Sequence, residues 1–229
     1  MNKKIIIILG APGAGKGTQA ELLSEKLGFY HLETSKVIRK KLTDVKKDDF
    51  EIVGEKRYSL LEEKNKKDSG ILMSPPLITF WIKERTRSLI KEEQGIIMNG
   101  SPRTLYEGEE LIPFFKNICG TNNVQVISID LSEKESLFRN SHRKTCELAY
   151  HTMIYNKETE KLTKCPFDGS KLVIRKDDHP KIIKVRLKQY KDRTSPLIEF
   201  FKEEELKISK INGSPAPAVV FESILKVLK

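Results

Sequence analysis

The sequence predicts an α/β fold in which a parallel sheet carries helices on both faces. Three observations lead there. Five short apolar runs punctuate the chain, at residues 5–9, 29–32, 95–98, 124–130 and 218–221. Several are apolar at nearly every residue, as strands covered on both faces are. Helical patterns fill the stretches between the runs, and that alternation favours parallel pairing through crossovers.

Residues 5–9 are Ile or Leu throughout and follow two lysines. A run of five is shorter than the roughly 7–15 residues of a signal-peptide core, and no small-residue cleavage site follows it. It reads as a buried strand. Gly10-Ala-Pro-Gly-Ala-Gly-Lys-Gly-Thr18 comes next, and over 18–27 Ala20, Leu23 and Leu27 recur at helical spacing before Gly28 supplies a stop. Residues 34–73 break the alternation. They are polar and helix-prone, with lysine-rich stretches at 46–47 and 64–67. Residues from about 142 to 178 break it again. Cys146, Cys165, Pro166, Gly169 and the alternation from Lys171 to Ile174 suggest a small β lobe. Both segments read as insertions into one core. Later, Ile183, Leu187 and Tyr190 form an apolar stripe, with Arg186 beside it at the edge of a cleft.

Composition narrows the function. The chain has 229 residues, 38% apolar and 32% charged, with a mean hydropathy of −0.44. No window nears the roughly 18 consecutive apolar residues of a membrane helix, so no membrane role is expected. Three cysteines without a signal peptide argue for a reducing compartment. Cytoplasm is expected, with the mitochondrial matrix as the alternative. The net charge of +10 points to anionic partners. Lysines are spread along the whole chain, so a solvated face is expected rather than a nucleic-acid surface.

The loop between first strand and first helix carries the chemistry. Its glycines let backbone N–H groups converge on phosphate oxygens, and the helix amino terminus adds positive potential. Gly13, Ala14, Gly15, Lys16, Gly17 and Thr18 are the candidate triphosphate-binding residues. Lys16 can reach the transferring phosphate, and Thr18 can meet a metal through its hydroxyl. No nucleophilic triad stands out.

The spelling of this loop resembles that of the adenylate kinase family, and further matches follow in the family's order. They are Thr34-Ser-Lys-Val-Ile-Arg39, Gly70-Ile-Leu-Met73 and Asn99-Gly-Ser-Pro-Arg-Thr104. Arg139, Arg143, Arg175 and Arg186 follow, then Thr194-Ser-Pro-Leu-Ile198. The resemblance implies a P-loop NTPase core with a five-stranded parallel sheet, formed by 1–33, 74–138 and 179–229. It also implies a monophosphate-binding lobe at 34–73 and a small lid at 139–178. The implied reaction is reversible, magnesium-dependent phosphoryl transfer from ATP to AMP, by a monomer. The implied acceptor site is Thr34, Arg39, Gly70, Met73, Gly100, Arg103 and Glu107. The implied catalytic groups are Lys16, Arg103, Arg139, Arg143, Arg175 and Arg186. Arginine suits the task, because a guanidinium grips phosphate with two N–H groups and keeps its charge. Arg139 and Arg143 are four residues apart and would share a face on one helix.

Departures from the family pattern are informative. Lys36 and Asn99 stand where the family has aspartates that order magnesium's waters. Asn99 can still order one, but Lys36 cannot, so a raised magnesium requirement is expected. Glu107 replaces a glutamine that reads adenine, and an ionised carboxylate can only accept hydrogen bonds. AMP leads as acceptor over CMP or UMP. Cys146, Cys165 and Asp168 resemble part of a lid zinc site found in some members. Ala149 takes one ligand away, and a metal-free lid is expected, with His151 as the nearest substitute. GTP is the alternative donor. The other classes weighed are a low-activity nucleotide-binding protein and a nucleic-acid-binding P-loop protein.

Overall fold

An Ile-rich strand can be buried only if both its faces are covered, and that is how the first strand is used. The computed structural model describes residues 3–92 and 95–228. Residues 1, 2, 93, 94 and 229 of the expected core lie outside the described residues. Strand β1 (Lys4–Gly10) is central in a five-stranded sheet of order β10-β6-β1-β5-β2. Its neighbours are β5 (Gly95–Asn99) and β6 (Val124–Asp130), with β2 (Tyr30–Glu33) and β10 (Lys207–Asn212) outside them. All pairings are parallel.

Period-two alternation sorts the core into two layers. Ile5, Ile7 and Leu9 face one cluster with Trp81, Phe115 and Phe201. These come from helices α4 (Pro75–Leu89), α5 (Leu105–Cys119) and α8 (Leu197–Glu203). Ile6 and Ile8 face the other cluster with Ala20, Leu23, Val220 and Ile224, from α1 (Lys16–Leu27) and α9 (Pro217–Leu228). Each fully buried Ile or Leu contributes on the order of 1.5–3 kcal/mol relative to exposure.

One expected strand is corrected. Residues 218–221 lie in α9, and the fifth strand is β10. A short apolar run does not distinguish a buried strand from a buried helix. Pro217 opens the helix, and Val220 and Ile224 put one face on the sheet. The true strand sits at the sheet edge, and Lys207 and Lys210 interrupt its apolar pattern.

Two departures from the core carry their own sheets. The first runs through α2 (Thr34–Lys41), an antiparallel hairpin of β3 (Phe50–Val53) and β4 (Lys56–Ser59), and α3 (Leu60–Asp68). The hairpin was hidden by the polar composition. The second follows α6 (Glu133–Ser141) and is a three-stranded antiparallel sheet of order β8-β7-β9. Its strands are β7 (Lys144–Cys146), β8 (Thr152–Met153) and β9 (Leu172–Val173). Helix α7 (Pro180–Gln189) then returns to the core and runs on into a π-helical turn, Tyr190–Thr194. Among the described residues, no helix is long and apolar enough to cross a membrane.

Candidate active site

The carboxyl ends of β1, β2 and β5 open onto one crevice, where ligands of parallel α/β sheets bind. Gly10 ends β1, and the chain turns through the loop to α1, whose amino terminus points at the crevice. Gly13 has φ +81°, and a Cβ there would lie 2.5 Å from Asn140 Nδ2. Only glycine fits that approach. The Ser136 hydroxyl donates to Pro12 O across 2.5 Å and braces the outer side of the loop. Lys16 Nζ donates to Gly10 O and Ala11 O, both at 2.8 Å.

Four arginines draw in around Lys16. Burial, then Arg103, Arg186 and Arg143, hold the Lys16 ammonium well below the usual lysine range. Burial also lowers Arg186 to about 10; Asp177 opposes the shift, while Arg143, Arg103 and Arg175 add to it. The crevice wall holds Lys16, Lys67, Arg103, Arg175 and Arg186, with Asp177 as the carboxylate among them. Asp177 takes Arg175 at 3.1 Å and Arg186 at 3.0 Å. Burial alone would raise its carboxyl, but Arg186, Arg175 and Arg143 outweigh that and lower it. Arg143 grips Asp178 with Nε at 2.9 Å and a second nitrogen at 2.5 Å. So many cations around so few carboxylates make a receptor for a polyanion.

The expected pairing of Arg139 with Arg143 on one helix is corrected. Helix α6 ends at Ser141, and Arg143 lies beyond it. Arg139 instead donates to Gly213 O at 2.9 Å and Ser214 O at 2.8 Å. The helix stops because Lys144–Cys146 pairs into the small sheet.

On the other side of the crevice, Thr34 and Gly100 meet. A Cβ on Gly100 would lie 3.0 Å from the Arg103 guanidinium and 3.3 Å from Thr34 Oγ1. The Thr34 hydroxyl is buried without a described partner, a group suited to an incoming phosphate or base. Gly70 and Met73 also line the wall. Glu63 ties this segment down: it accepts from Ser74 N at 2.7 Å, the Ser74 hydroxyl at 2.6 Å and Lys66 at 2.6 Å. Glu107 lies behind Arg103, at the start of α5. It accepts from Arg103 N at 3.1 Å, and its own N–H donates to Thr104 Oγ1 at 3.2 Å. Burial pushes its carboxyl up, against the pull of Arg103. Arg39 sits in the wall of a second cavity.

Comparison with known proteins agrees with this geometry. The adenylate kinase family model matches residues 8–206. The adenylate kinase of Clostridium tetani is 33% identical over 229 residues, covering 97% of each chain. That of Chlamydia pneumoniae is 32% identical over 224 residues, covering 98% of this chain and 97% of its own. That of Oceanobacillus iheyensis is 33% identical over 227 residues, covering 98% of each chain.

The chain belongs to the adenylate kinase family.

As a family member it is a phosphotransferase of the nucleoside monophosphate kinase type. One feature of this adenylate kinase-family chain escaped the sequence reading, and a second was named there only as a substitute. The first is Glu33. It pairs in register with Asn99 at the ends of β2 and β5, and strand alternation sends both side chains to the same face. Asn99 Nδ2 lies 3.6 Å from where a Cβ on Gly17 would be. Glu33 therefore sets a carboxylate on the same face as Asn99, three residues before Lys36, with the Lys36 ammonium at 3.6 Å. The short Ser35–Glu33 hydrogen bond fixes it. Register, which no motif encodes, was the missing signal.

The other is His151. The small sheet gathers Cys146, His151, Cys165 and Asp168, with their ligand atoms all within 4.8 Å of one another. Asp168 Oδ2 is 3.1 Å from Cys146 Sγ and 3.3 Å from His151 Nδ1, which lies 3.4 Å from Cys165 Sγ. A tetrahedral zinc ion at ordinary Zn–S, Zn–N and Zn–O lengths sets its ligands roughly 3.3–3.8 Å apart. Two of these spacings fall in that range, the third at 3.1 Å is just below it, and the whole set lies within 4.8 Å. His151, two residues on from Ala149, brings its Nδ1 to the place where a fourth ligand atom would stand, outside any Cys-X-X-Cys spacing.

Proposed function

We propose that the chain transfers the γ-phosphoryl group of magnesium-bound ATP reversibly to AMP, giving two molecules of ADP. The observation that supports it most is the convergence of Lys16, Arg103, Arg143, Arg175 and Arg186 on one crevice beside the glycine loop. Amides of Gly13, Ala14, Gly15, Gly17 and Thr18 and the Lys16 ammonium hold the donor phosphates. Arg139 borders the donor side through its hold on the 213–214 turn. Thr34, Arg39, Gly70, Met73, Gly100, Arg103 and Glu107 receive AMP, with Arg39 and Arg103 on its phosphate. Arg143, Arg175 and Arg186 neutralise charge on the transferring group, the dominant task in phosphoryl transfer.

In this reading residues 34–73 are the monophosphate lobe and 139–178 the lid, whose closure excludes water. The oxygen donors beside the loop suit magnesium. Thr18 would hold it, and Asn99 and Glu33 would order its waters. Magnesium, when bound, supplies charge neutralisation on the phosphate oxygens. We infer further that the lid holds a structural zinc ion on Cys146, His151, Cys165 and Asp168, in place of the metal-free lid expected from spacing. The neighbouring backbone supports this, since His151 N donates to Cys146 Sγ at 3.1 Å and so favours a thiolate.

A coupled assay pairing ATP or GTP with AMP, CMP or UMP, with magnesium varied, tests the reading. Highest kcat/KM with ATP and AMP is expected, together with a raised magnesium requirement. Preference for GTP, or no turnover despite tight AMP binding, would defeat it.

A further inference from the structure

A bulky residue rarely takes a left-handed backbone unless the surroundings require it. Tyr150 has φ +60°. It stands in the loop between Cys146 and His151, and the residue is 51% exposed. That loop projects from the small sheet toward the first inserted segment. There the Arg39 guanidinium lies 4.0 Å from the centre of the Tyr150 ring. The two residues wall a cavity together with Arg175 and Asp177, which also wall the central crevice. Among the described residues, no hydrogen bond is formed by the Arg39 guanidinium, so its N–H edges remain available.

A stacked guanidinium uses only its face. Its donors stay in the plane, where phosphate binds. Arg39 sits on a surface helix and would otherwise sample many rotamers, each an entropic cost when it orders on a ligand. The ring that holds it belongs to the opposite lobe, so the contact exists only when the two lobes are together.

We propose that Tyr150 is a positioning residue that presents Arg39 to the acceptor phosphate, and so transmits lid closure to the AMP site. This rests on the reading of Arg39 as an acceptor-phosphate ligand. An exposed cation–π contact contributes about 0.5–1 kcal/mol, so the coupling should be roughly two- to fivefold in affinity.

The test is calorimetric titration of AMP into the full-length, metal-loaded protein, with and without a non-hydrolysable ATP analogue. Tyr150→Phe keeps an aromatic face. Tyr150→Asn removes it while suiting the left-handed backbone, so metal content and Tm should hold. The parent and Tyr150→Phe should bind AMP two- to fivefold more tightly once the analogue is present. Tyr150→Asn should lose that gain, with its affinity in the analogue's absence unchanged. No gain in the parent, an intact gain in Tyr150→Asn, or equal loss in both variants would overturn the proposal. Arg39→Ala is a separate arm. If it leaves AMP affinity untouched, the acceptor reading fails instead.

Discussion

Lys16 shows how environment sets the working range of a single residue. Its folded-state pKa is depressed by burial and by three guanidinium groups. The ammonium proposed to grip phosphate is therefore present at low pH and lost as pH rises through a value below the ordinary lysine 10.5. We predict that kcat/KM for ATP has an alkaline limb in that window. The limb in kcat lies higher, because bound phosphates stabilise the ammonium. Superimposed limbs at an ordinary lysine pKa would refute the prediction. The linked stability has the opposite sign. Between the depressed and ordinary values the unfolded chain holds more protons, so folding strengthens as pH rises. Lys16→Met should lower kcat/KM on the order of 10²–10³-fold, measurable in the coupled assay.

Two elements act as clasps, and each can be opened separately. The Glu63 carboxylate is buried and takes three donors that fasten the segment after α3 to the start of α4. Glu63→Ala leaves the Ser74 N–H without its acceptor, which costs on the order of 1–3 kcal/mol. Loosened hold on the 70–73 segment should also raise KM for AMP more than KM for ATP. Equal changes in both would count against the clasp. The knuckle of the small sheet is the second clasp. His151→Ala should drop zinc content from one per chain toward zero and lower Tm, read by metal analysis and calorimetry. A parent protein free of zinc would refute the site. The sequence made the loop, α1 and four of the five core strands legible, because glycines, period and apolar runs are local signals. It hid what depends on neighbours. β10 is an edge strand with lysines in it, the β3–β4 hairpin is polar, and the Arg139–Arg143 pair parts because α6 ends early. Glu33 joins Asn99 through register, and His151, legible in the sequence only as a substitute, meets the two cysteines through loop geometry.

At the scale of the whole molecule, the cations around the crevice outnumber the Asp177 carboxylate among them, and an entering anion relieves the repulsion that Asp177 leaves uncancelled. Binding of ATP, or of inorganic tripolyphosphate, should therefore stabilise the fold. At about a hundredfold excess over Kd the gain is about 2.7 kcal/mol, or about 5–10 °C in Tm for a chain of this size. Scanning calorimetry should show the rise with tripolyphosphate, and lysines scattered over the surface would not produce it at equal ionic strength. Absence of a shift would mean that these charges do not form one receptor.

The carboxylate of Asp177, lodged between Arg175 and Arg186, gives this receptor an unusual economy. It is a resident understudy for phosphate. In the proposed function an arriving nucleotide would not fill a void but take over a seat already kept warm, and a departing product would hand the seat back. The arms therefore never face one another bare, and each exchange starts from an arrangement near the one it must reach. Some grip is forfeited at every arrival, and quicker departure is what the protein receives in return.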